Sequence, residues 1–194
     1  SDRWLAAQAK RVAYVCAAIC SALSLGQERD ISLRTAGLFI NLALRDKPAD
    51  LMRYDLIRKP SVDMNQVLGE NFIQSGLLVE KRLSDARAAK LIKAVANILR
   101  SKKQNLDDDL LLDAETLLGV ELSSRSCWSL GYWQPIGAHR AIRHFRSEDS
   151  LIKSEQIRSA LIRVLGEAVT VHVTVGNIFT SLMEEEAELA AARE

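Results

Sequence analysis

The sequence predicts an all-α chain, a single compact helical bundle with a helical extension at its end. Three observations carry that prediction. Apolar residues recur at helical spacing over long runs, as at Leu5, Val12, Val15, Cys16, Ile19 and Leu23. Residues that start helices stand where such runs begin, Asp63 and Asp85 or Ser84 among them. Alternation of the strand kind is confined to Val169, Val171, Val173 and Val175, where helical flanks on both sides favour helix instead.

The first helix is expected from Trp4 to Leu25, with Gly26 as its C-cap. Ile31 to Asp46 follows, apolar on nearly every side through Leu33, Ala36, Phe39, Ile40, Leu42 and Leu44. A helix of that kind belongs in the middle of a core, and we expect the rest of the chain to be organised around it. It is too short to span a bilayer. Lys47, Pro48 and Asp50 mark a connection, and Leu51 to Ile57 a short helical turn before Pro60. Asp63 is placed to cap a helix from Met64 to Lys81, and Asp85 or Ser84 another from Ala86 to Ser101, whose Arg87, Lys90 and Lys93 form a solvated face.

Asp107, Asp108, Asp109, Asp113 and Glu115 then give a helix an acidic start, which the helix dipole favours. Asp109 and Asp113 lie four apart, but the glycine turn and distal glutamate of a calcium loop are missing. Ser123 to Gly137 breaks the periodicity and is expected to be a loop. It holds Trp128, Tyr132 and Trp133 and is flanked by Arg125, His139, Arg140, Arg143 and His144. Such aromatics either pin a loop to the core or stack on a base while arginines pair with phosphate. His139 and His144 are five apart and do not share a helix face as metal ligands would. Ser154 to Glu194 reads as one or two helices with a break at Gly166, so the expected division is 1–166 for the bundle and 167–194 for the extension.

The chain's 194 residues suffice for one well-cored domain, and 48% hydrophobic with 26% charged residues is ordinary for a globular protein. A formal net charge of +1 gives no electrostatic case for nucleic acid. Cys16, Cys20 and Cys127 are too few for a disulfide framework and lack the second pair that a zinc finger needs; Cys16 and Cys20, four apart on a helix face, read as small buried side chains, and a reducing, cytoplasmic compartment is expected. No signal peptide or spanning segment is visible, and a start at Ser1 without methionine leads us to expect a piece of a longer chain.

In layout the chain resembles the HD-GYP family, the helical branch of the HD phosphohydrolases that cleaves cyclic di-GMP. KRVAYVCAAICSALSLGQERDISLRTAGLFINLALRD is similar to the family's opening helix pair, whose second helix carries the His-Asp doublet. LIRKPSVDMNQVLGENFIQSGLLV is similar to its Lys-Pro turn and the helix whose His precedes a Gly by four residues. LLLDAETLLGVELSS resembles the helix bearing Val-Ala-Asp, and AIRHFRSEDSLIKSEQIRSALIRVLG the closing helices. The likeness covers Lys10 to Gly166.

At the matched positions the metal-binding residues have been replaced. Ile40 and Asn41 stand at the His-Asp doublet, Phe72 at the next His, Ile98 and Leu99 at the paired-His segment; the Gly-Tyr-Pro loop is missing, and only Glu115, opposite the family's Asp, keeps a ligand type. Isoleucine and phenylalanine offer no donor atom to a divalent ion. The resemblance therefore implies a degenerate domain without catalytic residues, metal or cofactor. Such a domain serves as a regulatory or protein-interaction module, such as the output half of a bacterial response regulator. The alternatives are a cyclic di-GMP receptor, using Arg125, Arg140 and Arg143 beside Trp128 and Trp133, or a phosphodiesterase with a metal site rearranged onto Glu115, Asp107 to Asp113 and His139 or His144. A protein partner or a symmetric homodimer is expected, the latter through Ile178, Phe179 and Leu182, with neither membrane nor nucleic acid as partner. In a helix apolar all round, Asn41→Ala is expected to be nearly silent and Ile40→Asp to be severe.

Overall fold

A computed structural model describes residues 2–47, 49–52, 54–57, 62–101, 106–129 and 132–171. They form an all-α bundle: α1 (Asp2–Ala22), α2 (Gln27–Phe39), a 3-10 turn (Leu42–Leu44), α3 (Ala49–Met52), α4 (Val62–Leu83), α5 (Ala86–Leu99), α6 (Asp108–Cys127), α7 (Pro135–Arg146) and α8, residues 155–171. The sole strand pairing among the described residues is a two-rung hairpin, β1 (Trp128–Ser129) with β2 (Tyr132–Trp133). No helix among them is long and apolar enough to cross a membrane.

The bundle consists of two helix pairs, α1 with α2 and α4 with α5, closed around α6. Every residue of α6 from Asp113 to Cys127 is buried. This corrects the expectation that Ile31 to Asp46 is the organising helix. That segment begins earlier, at Gln27, and ends at Phe39, beyond which Ile40 and Asn41 lead into the 3-10 turn, with Ile31 and Leu38 exposed. The hydrophobic pattern misleads because α6 buries many polar residues, some of which bond back to their own helix. Thr116 Oγ1 donates to the Leu112 carbonyl at 2.9 Å and Ser123 Oγ to the Gly119 carbonyl at 2.7 Å, each one turn back along the helix. Small residues also let neighbours approach α6 closely. A Cβ on Gly119 would lie 2.4 Å from Leu161 Cδ1 of α8, and one on Gly137 of α7 only 2.0 Å from the Ser126 carbonyl oxygen.

The caps follow the sequence in most places. Asp85 accepts from Ala88 N at 2.9 Å to start α5, and Asp107 from Leu110 N at 2.8 Å to start α6. Asp63 lies within the first turn of α4. The end of α1 is a correction. Leu25 N donates to the Cys20 carbonyl and Ser24 N to the Ser21 carbonyl, with Ser24 at φ 54°. This is a Schellman motif with serine in the left-handed position that glycine usually takes. Gly26 instead precedes α2 as its N-cap, with φ −63°. Farther on, Ser123 to Cys127 belong to α6, so the expected loop shrinks to residues 128–134. Gly166 interrupts nothing: the expected boundary between 166 and 167 falls inside the continuous helix α8, and residues 172–194 are outside the described part.

Candidate functional site

Asn41 and the middle of α6 form the most concentrated polar site in the core. Asn41 stands where α2 gives way to the 3-10 turn, and its side chain points at α6, where Glu121 and Arg125 share one face four residues apart. Arg125 Nε donates to Glu121 Oε1 in a short contact, and Arg125 Nη2 donates to Asn41 Oδ1 at 2.6 Å. Asn41 Nδ2 returns a bond to Glu121 Oε1 at 3.0 Å, while Gln8 of α1 donates to Oε2 at 3.4 Å. The remaining guanidinium nitrogen, Nη1, donates to the Met52 carbonyl at 2.7 Å, the last residue of α3. Trp4 lies against the same guanidinium, 6.0 Å from its carbon to the ring centroid. Four elements thus meet at one ion pair, whose side chains are 0% and 1% exposed.

This cluster sits where the resemblance to HD-GYP domains puts the His-Asp doublet. Ile40 is fully buried in the apolar core, and so is Phe72 on α4; Ile98 and Leu99 are core residues of α5. Glu115 is engaged away from this cluster. Its Oε2 accepts from Lys153 N at 3.0 Å and Ser154 N at 2.8 Å, just ahead of α8. Glu121 is the carboxylate that meets Asn41, and the i,i+4 Glu121–Arg125 pair was the available signal for it. The residues of a rearranged metal site are likewise dispersed. Asp113 accepts from Arg29 Nε at 2.9 Å, Asp107 caps α6, and no group of three or more potential ligands is found among the described residues.

The aromatic hairpin is a second cluster. Trp128 and Trp133 are half-buried and pack edge to face with centroids 4.7 Å apart, and Arg11 of α1 covers Trp128 at 5.8 Å. This is the pinned-loop arrangement of the two that the sequence allows. Arg125 is removed from the expected ligand surface by burial, and Arg140 is partly committed to Asp55, Nη1 to Oδ2 at 3.2 Å. His139 and Arg143 are exposed on α7. Of Tyr132 only the backbone is described, and Ile178, Phe179 and Leu182 lie outside the described residues. His144 is half-buried beside Phe145, its Nε2 without a hydrogen-bond partner, and burial pushes its pKa down. All three cysteines are buried free thiols, with Cys20 and Cys127 pushed up to about 12 by desolvation.

A surface depression lies elsewhere, between α1 and α2. It is a groove of about 450 Å³ bounded by Tyr14, Ile31 and Leu38, with Lys10 and Arg34 at its rim. Compared with protein-family models, curated proteins and solved structures, the chain matches none.

Proposed function

We propose that the chain is a non-catalytic, HD-GYP-like module that works by protein contact. In this reading it is a cytoplasmic output domain of a bacterial signalling protein, such as a response regulator. One observation supports it above others: a guanidinium fills the space beside Asn41. A divalent cation held by Asn41 and Glu121 would share that space with the positive charge of Arg125, and like charges a few ångströms apart in a low-dielectric core repel strongly. Glu121 Oε1 is already engaged by Asn41 and Arg125, and Oε2 by Gln8. The polar residues are thus arranged as a structural tie between α1, α2, α3 and α6.

The test is elemental analysis of the purified protein together with a cyclic di-GMP hydrolysis assay. The expected result is no stoichiometric iron, manganese or zinc and no turnover. One or more tightly bound transition-metal ions per chain, with turnover abolished by chelation, would overturn the proposal.

A further inference from the structure

We propose that the groove between α1 and α2 receives the acidic terminal segment of a second copy of this chain, around Ile178 to Glu188. Three exposed large apolar side chains gather there: Tyr14 is 75% exposed, Ile31 50% and Leu38 40%. Grouped apolar exposure of this kind marks an interface. The charge at the rim is of one sign, for Lys10 and Arg34 line the groove and no carboxylate does. Arg34 is partly neutralised by Asp30, Nη2 to Oδ2 at 2.6 Å, whereas Lys10 has no ion-pair partner among the described residues. The groove thus fits an apolar segment flanked by carboxylates.

The chain itself carries such a segment. Ile178, Phe179, Leu182 and Met183 are followed by Glu184, Glu185, Glu186 and Glu188, so apolar residues at helical spacing run directly into an acidic stretch. The other acidic run, Asp107 to Asp109, is built into the start of α6, where Asp107 caps the helix and pairs with Lys90. Reciprocal exchange about a twofold axis covers both grooves with a single type of contact, the closed arrangement most common among homodimers. α8 is held at the far end of α1, where Arg163 Nη2 donates to the Ala22 carbonyl at 3.2 Å, about 18 Å along the helix from Lys10. The inference rests on reading the chain as a contact module, but its test is separate: metal content and turnover decide that reading, and mass in solution decides this one.

Light scattering on the full chain across a concentration series provides the test, with circular dichroism to establish that each variant is folded. The parent is expected to approach the mass of a dimer as concentration rises. Tyr14→Ala with Leu38→Ala should raise the dissociation constant at least about tenfold, the scale of losing one well-packed anchor. Lys10→Glu, a change at an exposed position, should weaken the dimer as well, and adding Glu185→Lys and Glu186→Lys should restore it. A monomer at every concentration, which includes the segment folding back onto its own groove, overturns the proposal. So does a dimer indifferent to the groove variants, or one weakened by Lys10→Glu that the lysine substitutions leave unrestored.

Discussion

Replacing Arg125 with methionine removes the guanidinium while roughly keeping its volume, and leaves the Glu121 carboxylate with no cation in a setting where its side chain is 1% exposed. Asn41 Oδ1 and the Met52 carbonyl lose their donor in the same step. Breaking a buried ion pair from one side costs about 3–5 kcal/mol, since the surviving charge stays desolvated. For a domain of this size each kcal/mol lowers Tm by about 2–4 °C, so thermal melts should fall by roughly 6–20 °C. Glu121→Gln in the Arg125→Met background removes the stranded charge but keeps the shape and, through its one carbonyl oxygen, the bond from Asn41; the amide NH2 takes the place of the oxygen that accepts from Gln8. That double variant is expected to regain half or more of the loss, giving a coupling of at least about 1.5–2.5 kcal/mol between the two positions. An Arg125→Met protein that melts within about 1 kcal/mol of the parent, or a double variant whose losses simply add, would refute the account of this cluster as a desolvated tie.

Three other outcomes follow from the same structure. Asn41→Ala, expected from the sequence to be nearly silent, should cost about 1–3 kcal/mol because it strands acceptors and donors of the buried cluster, and Ile40→Asp should cost more; denaturant unfolding of both variants checks the order. His144 has its pKa lowered from 6.5, first by burial and further by Lys153, with Asp55 and Asp149 opposing. The unfolded chain therefore binds the proton more readily, so this group's contribution is complete above the unfolded value and is lost as pH falls through the lowered folded one. Melts between pH 7.5 and 5 should accordingly show a steeper acid loss in the parent than in His144→Gln, and equal slopes would remove His144 from the argument. Gly137→Ala drives a Cβ to 2.0 Å from the Ser126 carbonyl oxygen and should destabilise by at least about 2 kcal/mol, while Gly26→Ala, with nothing within 4 Å and only the N-cap preference for glycine to lose, should stay within about 1 kcal/mol of the parent in the same melts.

How much of this was legible in the sequence depends on whether a residue's role is local. The starts of α5 and α6 were readable because an aspartate caps the amide three residues ahead, whatever else the fold does. The burial of Ile40, Cys16 and Cys20 was readable from apolar spacing. The centrality of α6 was not, because Glu121, Arg125 and a run of serines look like a solvated face until Asn41, Gln8 and Met52 arrive from distant parts of the chain. Arg125 was assigned to the surface, and Asn41 to a tolerant position, for that one reason. Glu115 was matched by position along the helix, and its actual partners lie 38 and 39 residues away. The left-handed serine at Ser24 escaped notice because Gly26, two residues later, offered the more usual choice.

The Glu115 contact has a consequence for how the molecule opens. Most helices carry their first-turn acceptor on the adjoining residue, and α8 does so too, Ser154 Oγ accepting from Ile157 N at 3.5 Å. The backbone that leads into α8 is different: Lys153 N and Ser154 N donate to a carboxylate within α6, so this approach keeps its place only while α6 does. Those two amides should then exchange with solvent deuterium through the same opening that exposes the centre of the bundle, although they lie near its surface. The backbone ahead of α8 thus opens with α6, whatever α8 itself does.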